Sequence, residues 1–228
     1  MRENRKDIED LTTIISSAMH RRTEIDRMLS KKKEIIENVS AMLRENAIDR
    51  DSLLNYADSL LMISEWEKSE RKLIGSLESK LIVILIYKLL GDEKHLETAV
   101  NSFNNILNEV REEALAWKDF DRAFLLEVFD LLKDLILQGT EARIKEISYM
   151  PKVYPLIRDL PDLLVSVLKE ERSVMDLTDA FNRYENFAEK NNLLEEWKTI
   201  KRIFGLIQVY SRMRGAVTDE ENDDSAEH

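Results

Sequence analysis

Cysteine is absent from the 228 residues, which removes a disulfide framework, a thiolate metal site and a cysteine nucleophile together. Histidine is almost as scarce. His20 and His95 stand alone and His228 is terminal, so neither a zinc site nor a Ser-His pair can be assembled. No Gly-rich phosphate loop and no Glu-x-x-His pair for a di-iron centre occurs. Long apolar runs are missing too: the longest, Leu81 to Tyr87, falls far below the roughly 20 residues of a membrane helix. Charges at Arg2, Glu3, Arg5 and Lys6 interrupt any apolar leader. These absences point to a cytoplasmic protein of a reducing compartment, with no insertion into a membrane.

Only 5 Gly and 3 Pro break up the chain, and apolar residues recur at three- and four-residue spacing nearly throughout. Strand-like alternation is absent. The fold class this implies is all-α, a multi-helix bundle or stacked helical hairpins with a long N-terminal helix. Hydrophobic residues at 43% and charged residues at 35% fit a globular protein rich in surface ion pairs.

Ile8, Leu11, Ile15, Ala18, Ile25, Leu29, Ile36, Val39 and Leu43 form a heptad seam, interrupted by Arg22 and Lys32. Ile14, Met28, Ile35 and Met42 widen it on one side, which suits packing in a bundle better than a bare two-stranded coil. Ser30 with Glu34 offers a restart cap and so a break. Asp51 or Asp49 can cap the next helix, through Leu61, and Ser64 the one after, from near Glu65 to Gly91. That helix holds Leu81 to Tyr87, seven successive apolar residues that leave no face for water. Asp92 opens the following helix, a turn near Asp119 leads to another that Gly139 closes, and Thr140 can cap a short one.

All three prolines lie between Tyr149 and Pro161, so a break is expected there. The expected organisation is a helical bundle over 1–148 and a C-terminal helical part over 149–215 packed on it as one continuous domain, followed by a disordered acidic tail over 216–228. The later helices read as Leu163 to Leu168, Val174 to Phe187 and Leu193 to Met213. Trp66, Trp117 and Trp197 fall at helix ends or stripe edges. Tyr87, Gly91, Ala99, Phe103 and Leu107 resemble part of a tetratricopeptide repeat, without a recurring period of 34 residues.

Two patterns could carry chemistry. Glu109 with Glu112, and Glu127 with Asp130, are carboxylate pairs at helical spacing, placed symmetrically about the turn near Asp119. In an antiparallel hairpin all four would converge, as a magnesium-dependent attack on a nucleotide requires. The arrangement resembles the EExxE and ExxD pattern of the MazG-like nucleoside triphosphate pyrophosphohydrolases, with Asn108 where that family has its first Glu. The resemblance implies Mg²⁺ as cofactor; otherwise no cofactor is expected. By the 3.6-residue period, however, Glu112, Glu127 and Asp130 lie away from the apolar stripes, on faces expected to be solvated.

The second pattern is basic. Lys198, Lys201, Arg202, Arg212 and Arg214 lie on the last helix with no acid among them, a surface for nucleic-acid phosphate or an acidic partner. Six acids between Asp219 and Glu227 follow, more than half of the net charge of −11, and could fold back to mask it. Weighed together, the residues favour a non-catalytic scaffold. It would bind another protein, or itself, through the N-terminal helix.

Overall fold

A computed structural model describes the backbone of residues 2–144, 146–149, 151 and 159–223, and side chains between residues 21 and 214. Most of the proline-bearing connection and residues 224–228 therefore lie outside the described residues. The rest is all-α: α1 Arg2–Arg44, α2 Arg50–Ser69, α3 Leu73–Leu90, α4 Glu93–Ala116, α5 Phe120–Gln138, α6 Leu160–Leu168, α7 Val174–Lys190 and α8 Leu194–Asp223. Gly139–Glu141 is a single 3-10 turn where a short helix was expected. No strand occurs among the described residues.

The chain divides into two compact units, residues 1–39 and residues 40–228. The first is one helix and nothing else. Its seam does not break at Ser30, because a Ser with no Gly or Pro beside it offers a cap without forcing one. Along the described side chains, Arg22 is exposed, Ile25 and Met28 are half-buried, Leu29 is 43% exposed, and Lys32, Ile35 and Val39 are buried.

The second unit is built on two inner helices. Every residue of α3 from Ile74 to Tyr87 is buried, as the apolar run demanded, and α3 packs against α2, α4, α5 and α8. The other is α5, buried at every position from Ala123 to Lys133 and packed against α3, α4, α6 and α8. Both α6 and α8, which follow residue 148, thus pack on helices that precede it. Each Leu or Ile side chain wholly withdrawn from water contributes about 1.5–3 kcal/mol, so this inner pair is the main source of cohesion.

The polar residues of α3 are buried with partners. Ser64 and Ser76 meet at 2.7 Å, Ser79 donates to Glu67 Oε2 at 2.9 Å, and Lys80 Nζ donates to Glu65 at 3.0 Å. Ser64 is therefore inside α2, holding α3, and caps nothing. The actual break comes at residues 70–72, where Arg71 takes φ 59° and Lys72 N–H closes on Glu67 O at 2.8 Å. The same closure recurs at Asn46, Lys118, Glu170 and Asn192, each left-handed without being glycine. Gly91, at φ 65°, ends α3 as its type favours.

Asp49, Asp92 and Asp119 cap α2, α4 and α5 through the backbone N–H three residues on. Ser173 and Asp176 form a capping box at the start of α7. The last helix passes through Gly215 and continues to Asp223, so residues 216–223 are helical where a tail was expected. One interior Gly costs only about 1 kcal/mol, too little to stop a helix already docked over several turns.

Candidate functional site

The four candidate carboxylates lie on the α4–α5 hairpin, two of them buried and two exposed. Glu127 and Asp130 are buried, at 6% and 4% exposure, not solvated. Seen from α5 alone they lie opposite the apolar stripe, but α5 is enclosed on all sides and has no outer face. Each carboxylate has a cation from the same hairpin. Arg111 Nη1 donates to both oxygens of Glu127, at 3.0 and 3.2 Å, while its Nη2 donates to Asn108 at 2.7 Å. Lys133 Nζ donates to Asp130 and lies 3.1 Å from Asp134.

Burial alone would lower the Lys133 ammonium below its usual range, but the Asp130 hydrogen bond and the charges of Asp130 and Asp134 hold it above. Glu109 and Glu112 remain outside this buried layer. Glu109 is 3.8 Å from the exposed guanidinium of Arg71, and Glu112 is exposed. Among the described residues no group of three or more His, Cys, Asp or Glu could hold a metal ion. Coordination at Glu127 or Asp130 would first require Arg111 or Lys133 to withdraw.

Sequence reasoning missed the cations of this layer and the tyrosine beside it. The Tyr149 ring stacks on Phe120, with centroids 5.5 Å apart, and its buried hydroxyl has no hydrogen-bond partner among the described residues. Burial and the Glu127 charge both push that hydroxyl's pKa up. The signal for the layer was available: Asn104, Asn108 and Arg111 share one edge of α4, and Lys133 follows Asp130 by three.

The basic residues of α8 are also partly committed. Arg202 Nε donates to buried Glu78 at 2.6 Å, and Lys201 Nζ donates to Glu185 at 3.0 Å. Both bonds are internal to the second unit, so these two cations are already paired, although Arg202 is exposed. Lys198, Arg212 and Arg214 are exposed. The acidic run does not fold back on them as far as Asp223, since α8 continues straight through it.

The tryptophans behave differently from one another. Trp197 is wholly buried, contrary to its expected place at an edge, with Tyr184 at 4.2 Å and Phe181 at 5.1 Å between ring centroids. Neither its indole N–H nor the Tyr184 hydroxyl has a partner among the described residues. Trp117, at the α4–α5 turn, is 80% exposed. It borders a cleft of about 300 Å³ that also takes in Arg71, Arg122, Asp119 and Glu196. Arg122 donates to Glu196 Oε1 at 2.9 Å and Asn192 O at 3.2 Å, so these two charges of the lining are paired with each other.

No helix among the described residues is long and apolar enough to cross a membrane. Compared with protein-family models, with curated proteins and with solved structures, the chain finds no match in any of the three.

Proposed function

We propose that the protein is a non-catalytic helical interaction module that engages another helical protein along the seam of α1. The observation that carries this reading is the composition of the first unit: one helix, with no second element in the unit to cover its apolar stripe. Leu29, on that stripe, is 43% exposed, with half-buried Ile25 a turn before it. A partner helix would withdraw that surface from water at about 25 cal/mol per Å². The charged groups of the α4–α5 layer support the same reading, because they are paired within the hairpin and not turned toward a substrate. Replacing Ile25 and Leu29 with glutamate should release the native partner while leaving the thermal unfolding of the chain unchanged. Full retention of the partner by that variant would refute the assignment.

A further inference from the structure

The end of α1 and the last turns of α8 border an open groove of about 430 Å³ within the second unit. Its floor is apolar, made by Leu43, Val209 and Met213; Arg44, Asn46 and Arg212 complete the lining. Both arginines are exposed, and among the described residues neither makes an ion pair or a side-chain hydrogen bond. In this they differ from Arg111, Arg122 and Arg202, each held by a carboxylate. Two unpaired guanidinium groups at an apolar groove suit a segment rich in acids.

We propose that this groove is a self-association site, filled by the acidic C-terminal run of a second copy of the chain. Residues 219–227 carry six acids and no base, the densest single-sign run in the sequence. The run cannot serve its own groove while α8 continues as one helix to Asp223. Asp219 lies seven residues beyond Arg212, about 10 Å further along the axis at ~1.5 Å per residue. A second copy has no such constraint.

The order of charge along α8, basic to Arg214 and acidic from Asp219, is self-complementary only when two such helices run antiparallel. A two-fold axis near Gly215 and Ala216 would set the basic turn of each copy beside the acidic turn of the other. It would also place the smallest residues of the segment at the crossing. The contact is isologous and so closes as a dimer. A parallel pairing in register would instead set like charge on like. The groove shares only Leu43 with the α1 seam and uses neither Ile25 nor Leu29, so it is tested separately from the function proposed above.

Sedimentation velocity on the full chain tests it. The wild-type chain should dimerise in about 50 mM salt and dissociate in about 0.5 M, where screening is some threefold shorter in range. R44E/R212E should weaken the dimer at least about tenfold, and D219K/E220K/E221K equally, with helical content unchanged by circular dichroism. An equimolar mixture of the two reversed variants should recover a heterodimer, a result that misfolding of either could not give. A wild-type chain that remains monomeric in low salt overturns the proposal. So does a dimer indifferent to both reversals; if that dimer is lost in L29E, self-association lies on α1 instead.

Discussion

A methyl group added at Gly75 would stand 2.5 Å from Glu67 Oε1 and 2.9 Å from its Cδ. Helix propensity favours Ala over Gly by about 1 kcal/mol, yet Glu67 is buried and accepts from Ser79, so its carboxylate cannot swing aside without losing that bond. Gly75→Ala should therefore lower stability, by about 1–3 kcal/mol, and the loss should shrink in a Glu67→Ala background. Chemical denaturation of the cycle reads this directly; equal losses in both backgrounds would contradict the contact. Burial likewise ranks the ion pairs. Arg111→Ala would leave Glu127 buried and unpaired, a loss of about 3–5 kcal/mol, whereas Lys201→Ala breaks a part-exposed pair worth about 1 kcal/mol or less. Similar midpoints for the two variants in urea would show that Glu127 is not desolvated.

Glu196 supplies the pH dependence. Burial, opposed by its own backbone N–H and by Arg122, raises its carboxyl above the ordinary 4.5. Between that value and the raised one, the folded chain binds more protons than the unfolded chain, so stability falls as pH rises through the window. Glu196→Gln should remove that slope without unfolding the protein. A variant whose stability tracks the wild type from pH 4 to 7 would show that the site is solvated.

At the scale of elements, what the residues announced depended on whether local chemistry and tertiary packing agreed. Gly91, Asp92 and Asp119 mark helix ends with their own side chains or φ angles, and the helices begin and end where those residues indicate. The break after α2 was hidden because Arg71, not Gly, takes the left-handed position. A non-glycine residue there is strained by about 1 kcal/mol. Lys118→Gly and Glu170→Gly, at two equivalent exposed turns, should each raise the melting temperature slightly; a fall in both would mean that the backbone entropy of Gly outweighs the relief. The burial of α5 was hidden for another reason. Its period shows an apolar and a polar side, and only the packing of α4 and α6 with α3 and α8 shows that the polar side is also enclosed. The candidate carboxylates were legible as residues, while their neutralisation by Arg111 and Lys133 required the hairpin's register.

For the whole molecule, the seam of α1 was readable at once, since a heptad depends on spacing alone. That it forms a unit by itself was not, because sequence does not reveal which elements fail to accompany a helix. The proposed function makes this seam a docking surface. It is tested most directly by photo-crosslinking in the native cell, with a photoreactive residue placed in turn at positions 22, 25 and 29 and, as controls, at 24, 27 and 31. A partner docked on the seam gives one discrete adduct from the three seam positions and none from the three on the opposite side. Adducts without that helical periodicity, or none from the seam, would contradict it.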